Sequence, residues 1–299
     1  MKNKKDQYLI SVIVPCFNSG NTLKRSIESI KSQTLQSIEI IVVNDGSDDK
    51  KTLKVISSLK DVKIINQKNN GLPSARNIGA SNSKGEFLLF LDADDWIEND
   101  ALELMYKHLI NHKDYAYVFP DIFLEGKVRK IISKEYNFFE QLFLNQLPYC
   151  FLISKKTWNK TGGYDEEMIL GYEDWEFNIR IGSRKMYGKK LALPLFHYSV
   201  NQSGMLISKS SKLHSSIWKY IRNKHFKLYK LKSIIQIWWE WRTKSSSYPL
   251  IIFFPWYLFL MYLPDRHSSN IFIFFRNIKW LFVRRKIFKL FKSFKRILS

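Results

Sequence analysis

The sequence predicts an α/β fold: a mostly parallel sheet with helices on both faces, followed by a basic helical region. Three observations predict it. In the first hundred residues, apolar runs of strand length alternate with segments whose apolar residues recur at helical spacing. Each apolar run stops in a turn rich in Asn, Asp, Gly or Pro. The composition then changes near residue 205, beyond which acids almost disappear.

The first strand is the run Tyr-Leu-Ile-Ser-Val-Ile-Val at residues 8–14, stopped by Pro15. Thr22 is placed to start a helix, with Leu23, Ile27 and Ile30 on one face. Residues 38–43 form a second buried-strand run, ended by Asn44-Asp-Gly-Ser-Asp48. A helix over about 50–59, a strand at 62–65, a helix at 76–81 and a strand at 86–91 come next. Strands alternating with helices imply βαβ crossovers and a parallel sheet. Ligands of such sheets bind beyond the carboxyl ends of the strands, here at Pro15–Asn18, Asp45 and Asp92–Asp95. Residues 115–160 are less regular, with short apolar runs at 115–119 and 150–153, and an acidic helix starts near Tyr172.

The 299 residues carry a formal net charge of +21, unevenly spread. Residues 1–205 hold 28 Lys+Arg against 25 Asp+Glu, whereas residues 206–299 hold 20 against 2. This asymmetry divides the chain into a 1–205 domain and a 206–299 tail. Cys16 and Cys150 lack paired spacing, which suggests neither a disulfide framework nor a zinc site and fits two reduced thiols packed in or near a core. The first residues, Met1-Lys-Asn-Lys-Lys, lack the apolar core of a secretory leader, so a reducing cytoplasm is expected.

Asp92 and Asp94 stand two apart after a strand, so in extended chain their carboxylates share a face and can approach one hard cation such as Mg²⁺ or Mn²⁺. Alone the pattern is weak, since acidic loops are commonly only solvated. Asp95 reads as a helix N-cap. Asp45 fits an Asx turn as well as a carboxylate that accepts from a pyrimidine N–H. Glu173 and Asp174 open a helix, where the dipole favours carboxylates and where a general base could also stand.

The set in order is specific. Val-Ile-Val-Pro-Cys-Phe-Asn (12–18), Val-Asn-Asp-Gly-Ser (43–47), Asn-Gly-Leu-Pro-Ser-Ala-Arg-Asn-Ile-Gly (70–79), Phe-Leu-Asp-Ala-Asp-Asp (90–95) and Gly-Tyr-Asp…Gly-Tyr-Glu-Asp-Trp (163–175) closely resemble the family-2 glycosyltransferases of the GT-A fold. The resemblance covers roughly residues 9–200. It implies an inverting, metal-dependent transferase that uses a nucleotide-diphosphate sugar with Mg²⁺ or Mn²⁺. By the same resemblance Pro15 and Phe17 line the nucleoside pocket, Asp45 holds the base, and Arg76 approaches the donor's phosphates or sugar. Asp92 and Asp94 bind metal and diphosphate, Asp94 as the direct ligand. Asp174 is the general base, with Glu173 beside it contacting the acceptor. Phe17 stands where the family often has Tyr, which keeps a stacking face and loses a hydroxyl. His197, after the strand-like run 191–196, reads as a packed side chain or as a further metal ligand.

Residues 206–299 contain six of the nine Trp residues. Residues 248–264 form an apolar stretch bounded and broken by Pro249, Pro255 and Pro264, which suits a re-entrant or interfacial segment. Trp280, Val283, Ile287, Phe291, Phe294 and Leu298 share one helical face opposite Arg285, Lys289, Lys292, Lys295 and Arg296. That pattern suits a helix lying in an anionic membrane surface, better than it suits nucleic acid or a packed appendage. The expectation is a glycosyltransferase held peripherally at the inner face of the cell membrane, acting on a glycan or lipid-linked acceptor. A nucleotidyltransferase is the first alternative, but it would ordinarily carry a Gly-rich basic loop where this chain reads Pro-Cys-Phe-Asn-Ser-Gly. A catalytically inactive binding or scaffold protein of the same fold is the second.

Overall fold

The computed structural model describes residues 9–126, 129–200 and 213–262. Four parallel strands form its first half: β1 (Ile10–Cys16), β2 (Ile38–Asp45), β3 (Lys63–Gln67) and β4 (Phe87–Phe90), in the order β3-β2-β1-β4. Every residue of β1 is buried, as a strand covered on both faces requires. Pleating sends Val12, Val14 and Val42 to one face and Ile13, Ile41 and Val43 to the other. Helices α1 (Leu23–Lys31) and α2 (Lys50–Ser58) cover the first face, with Leu23, Ile27, Ile30 and Ile56 buried. Helix α3 (Leu72–Ser81) covers the second. Gly79 lets it lie close, since a Cβ there would stand 2.3 Å from Ile13.

The expected first strands and helices are therefore present, with shifted ends. Thr22 stands at the N-cap of α1 without a side-chain cap hydrogen bond. The sheet continues beyond β4 in mixed sense through β5 (Trp96–Ile97), β6 (Tyr117–Glu125), β7 (Lys130–Ile132), β8 (Leu152–Ser154) and β9 (Gly188–Ser199). Their order is β4-β8-β6-β9-β5, with β7 beside β6. The pairs β4–β8, β8–β6, β6–β7 and β9–β5 are antiparallel, and β6–β9 is parallel. Helix α4 (Ala101–Asn111) packs on this half, and α5 (Phe138–Gln141), α6 (Lys155–Thr161) and α7 (Glu173–Ser183) complete the domain.

Packing beyond residue 213 corrects the expected division at residue 205. Helices α8 (His214–Lys224), α9 (Leu231–Trp241) and α10 (Phe253–Tyr262) build a second core with α5 and α7. Trp218 of α8 stacks between Trp175 of α7 at 5.8 Å and Trp256 of α10 at 6.0 Å. Glu176, fully buried on α7, accepts from Arg180 at 3.0 Å and pairs with His225 at 2.8 Å and Lys224 at 3.3 Å. Each buried side chain of this size contributes about 1.5–3 kcal/mol, so residues 213–257 are part of the folded body. Within the stretch read as re-entrant or interfacial, Leu250, Phe253, Trp256 and Tyr257 are buried in that core. No helix among the described residues is long and apolar enough to cross a membrane. The amphipathic segment at 280–298 lies outside the described residues.

Candidate active site

The carboxyl ends of β1, β2 and β4 converge on one rim, as the strand pattern requires. Pro15 is buried at the end of β1, and Phe17 comes next with 46% of its surface exposed, its ring open to a ligand. The loops after β1 and β2 are stitched together by Asn18. Its Nδ2 donates to Asp48 Oδ1 at 2.7 Å, and its Oδ1 accepts from the amides of Asp48 and Asp49 at 3.1 and 3.3 Å.

Asp45, the last residue of β2, is buried and clamps the loop into α3. It accepts from Gln67 Nε2 at 2.6 Å, Asn70 N at 2.9 Å and Gly71 N at 3.0 Å. Gly71 takes φ +89°, which a side chain would resist, and so turns its amide to Asp45. The local turn expected of Asp45 is made instead by Asn44, whose Oδ1 accepts from Ser47 N at 3.0 Å, while Asp45 stands on the rim with partners distant in the chain.

After β4 the chain runs through Asp92, Ala93, Asp94 and Asp95, alternately half-buried and buried. Asp92 and Asp94 therefore share the rim face, and Ala93 and Asp95 point inward. Asp95 is not the N-cap expected of it: α4 begins later, after Asp100. It accepts instead from Tyr149 Oη and from Ser199 N at 2.7 Å, which ties the Asp-x-Asp turn to the end of β9. Burial, with Asp94 and Asp92 close by, pushes the Asp95 carboxyl well above the usual carboxylate range. The backbone carbonyl of Asp94 accepts from Arg25 Nη2 at 2.8 Å, and Ser199 Oγ donates to it as well.

Arg76 corrects its expected role. It is 1% exposed, and its terminal nitrogens donate to Asp92 Oδ1 at 2.7 Å and Glu173 Oε1 at 2.6 Å. Its guanidinium also lies over the rings of Tyr149 and Tyr164 at 4.8 and 5.3 Å. Burial opposes its charge, but the two carboxylates outweigh that and hold it ionised. Arg76 is thus a buried brace between the Asp-x-Asp turn and α7. Glu173 is likewise occupied by Arg76 and buried, so the structure does not offer it to an acceptor.

Asp174 is the carboxylate left at the mouth. Asn145 Nδ2 donates to its Oδ2 at 3.0 Å and Trp175 N to its Oδ1 at 2.8 Å, and the residue is half-buried. Burial raises its proton affinity, against the pull of the Asn145 hydrogen bond. Tyr172, just before, takes the left-handed conformation with φ 66°, a strained choice for a bulky residue that sets the first turn of α7 at the rim.

His197 is turned away from this group. Its ring stacks on Trp96 at 3.5 Å, and its Nε2 lies 2.7 Å from Glu98 Oε1. It stands in β9 as a packed side chain, its described contacts being with Trp96, Glu98, Phe123 and Glu125. The metal-ligand reading of His197 is therefore withdrawn. Both cysteines are buried thiols, and burial pushes Cys16 up to about 11. Sequence reasoning missed Tyr149, Asn145 and Arg25, which no motif marks.

The profile described as Glycosyl transferase family 2 matches residues 11–186. An uncharacterized glycosyltransferase of Haemophilus influenzae is 30% identical over 248 residues, covering 77% of this chain and 93% of its own. The minor teichoic acid biosynthesis protein GgaB of Bacillus subtilis is 28% identical, over 72% of this chain and 26% of its own. The chain spans only 15% of the Streptococcus pneumoniae glycosyltransferase GlyA and 17% of the Pasteurella multocida chondroitin synthase, with which it is also similar. Among solved structures, S. aureus TarS 1–349 in complex with UDP-GlcNAc superposes with a TM-score of 0.61 at 18% identity, over 79% of this chain and 74% of that one. That last likeness is one of fold. With the profile matched across all the rim motifs and one relative matched nearly end to end, the chain belongs to glycosyl transferase family 2.

Proposed function

We propose that this glycosyltransferase moves a sugar from a nucleotide-diphosphate donor, a UDP-sugar first among them, to a hydroxyl of a glycan or lipid-linked acceptor, with inversion at the anomeric carbon. The observation that carries the reading is the shared rim: Phe17, Asp45, Asp92, Asp94 and Asp174 stand at the carboxyl ends of β1, β2 and β4 and the start of α7. Relatives named for teichoic acid and chondroitin synthesis, and a fold neighbour solved with UDP-GlcNAc, support surface-polysaccharide or glycolipid synthesis as the setting.

A divalent cation would fit this site if substrate helped to hold it. Among the described residues no three His, Cys, Asp or Glu side chains converge to hold a metal by themselves. Asp92 and Asp94 offer carboxylates on one face, and Mg²⁺ or Mn²⁺ commonly completes its shell with water and substrate phosphate. Asp94, with Asp92 beside it, would hold the ion, which would neutralise the departing diphosphate. Phe17 stacks on the base, and Asp45 keeps the 67–71 loop in place and takes the base N–H. Asp174 takes the acceptor's hydroxyl proton. That oxygen then bonds to the anomeric carbon as the bond to the diphosphate oxygen breaks on the opposite side. The raised proton affinity of Asp174 makes it a better base, and Asn145 keeps it aimed.

An acceptor borne on lipid suits attachment at the cytoplasmic face of the membrane. Incubating the protein with radiolabelled UDP-, GDP- and dTDP-sugars and membrane extract tests the reading. Transfer of label from one donor supports it, and hydrolysis or nucleotide exchange without a glycosylated product contradicts it.

A further inference from the structure

Helix α9 has two apolar faces. Ile234, Ile237 and Trp241 are buried in the core shared with α5 and α7. Leu231, Ile235 and Trp239 recur at every fourth residue on another face and are 55%, 46% and 60% exposed. Phe226, Ile251, Ile252, Leu258 and Met261 are also largely exposed on the neighbouring segments, and Trp238 against Phe254 at 5.5 Å sets α10 beside α9. The apolar row is bordered by cations. The Arg242 guanidinium lies over Trp239 at 3.3 Å, Lys230 lies over Phe226 at 5.5 Å, and Lys227, Lys232 and Lys244 are exposed.

We infer that this exposed face of α9 is a docking surface for an anionic lipid bilayer. Charge selects the partner. Residues 213–262 hold eight Lys+Arg against the single acid Glu240, and residues 263–299 continue with ten against Asp265. A second copy of the same face would set like charges together, and the equally basic 263–299 segment is no better matched to it. A nucleic acid would meet the cations but offers little to Leu231 and Ile235. A bilayer with anionic headgroups meets both, with Leu231 and Ile235 in the acyl boundary, Trp239 at headgroup depth and the cations reaching phosphate. The inference rests on the proposed membrane attachment and moves the contact from the C-terminal segment into the folded body.

The test uses the full chain with vesicles of phosphatidylcholine, with and without phosphatidylglycerol. Both native cysteines are buried, so a polarity-sensitive fluorophore on W239C reports that site, and one on the exposed position of K54C serves as control. The expected result is a blue shift at 239 with phosphatidylglycerol vesicles and none at 54. In the full chain, L231S/I235S should lower vesicle partitioning by about tenfold, with melting and sugar transfer to a soluble acceptor unchanged. Vesicle binding with a silent label at 239, or no vesicle binding, overturns the inference. So does a label at 239 that responds to RNA and not to lipid. The soluble-acceptor assay reads the transferase proposal separately, so the two can fail independently.

Discussion

Arg76 and Glu173, 97 residues apart in the chain, form an ion pair of 2.6 Å in which both partners are buried. The pair fixes the start of α7 against α3, and the other arm of the same guanidinium holds Asp92. The Asp-x-Asp turn and the start of α7 are therefore joined through one cation, and the distance between them is set by protein packing.

Removing that cation leaves two carboxylates, one of them fully enclosed, without their partner. Arg76→Leu should cost about 3–5 kcal/mol of stability, read by denaturant unfolding. The double variant Arg76→Leu/Glu173→Leu should recover part of this, because the more deeply buried of the two carboxylates is then gone and only the partly exposed Asp92 lacks its partner. Equal losses in the single and double variants would mean that the pair contributes little.

The two aspartates of the turn should separate by assay. Asp94→Asn should raise the Mg²⁺ or Mn²⁺ concentration needed for half-maximal transfer and leave the melting temperature nearly unchanged. Asp92→Asn should do less to metal dependence but lower the melting temperature, since it weakens the pair with Arg76. Full activity in excess chelator would exclude the metal altogether.

The first half of the fold was legible because β1, β2 and β4 are mostly buried, largely apolar runs that end in turn residues. The rim residues were legible for the same reason, since strand ends locate them. Only the start of strand β6 was legible, as the apolar run at 115–119, because Pro120 follows and its last four residues are only half-buried. The brace at Arg76 had no local signal: its partners lie 16 and 97 residues away. In the aromatic tail the second core was not legible, because composition alone does not distinguish a lipid-facing helix from a core-facing one. The spacing of His214, Ile217, Trp218 and Ile221 was the available sign of a buried stripe on α8.

A chain ending near residue 205 would lose the packing of that second core. Such a truncation strips Trp218, Tyr229, Ile234 and Trp256 from Trp175, Phe139 and Phe143. It should be insoluble or bind a hydrophobic dye strongly. A folded, monomeric 1–205 fragment with normal unfolding cooperativity would show that the second core is dispensable.

Glu176 should make stability pH-dependent in acid. Despite full burial, its partners His225 and Arg180 hold its carboxyl at about 2, below the ordinary 4.5. A depressed carboxyl contributes stability that is complete above the unfolded value and is lost as pH falls from about 4.5 towards 2, here about 3 kcal/mol. Glu176→Gln should flatten that part of the stability profile. An unchanged profile in the variant would assign acid sensitivity elsewhere.

Asn145 should tune the base. Its hydrogen bond favours ionised Asp174, so Asn145→Ala should raise the proton affinity of that carboxyl. The acid limb of the kcat profile should then move to higher pH, while donor binding is unchanged. A purely structural role would lower kcat at every pH and leave the limb in place.

The most direct test is single-turnover sugar transfer by Asp174→Asn, beside calorimetric titration of the nucleotide sugar. With Asp174 as the base, transfer should fall by about two to four orders of magnitude while donor affinity stays within about threefold. Transfer by Asp174→Asn at near the wild-type rate would contradict the account, most sharply if Glu173→Gln, restored to wild-type stability, were the variant that lost it.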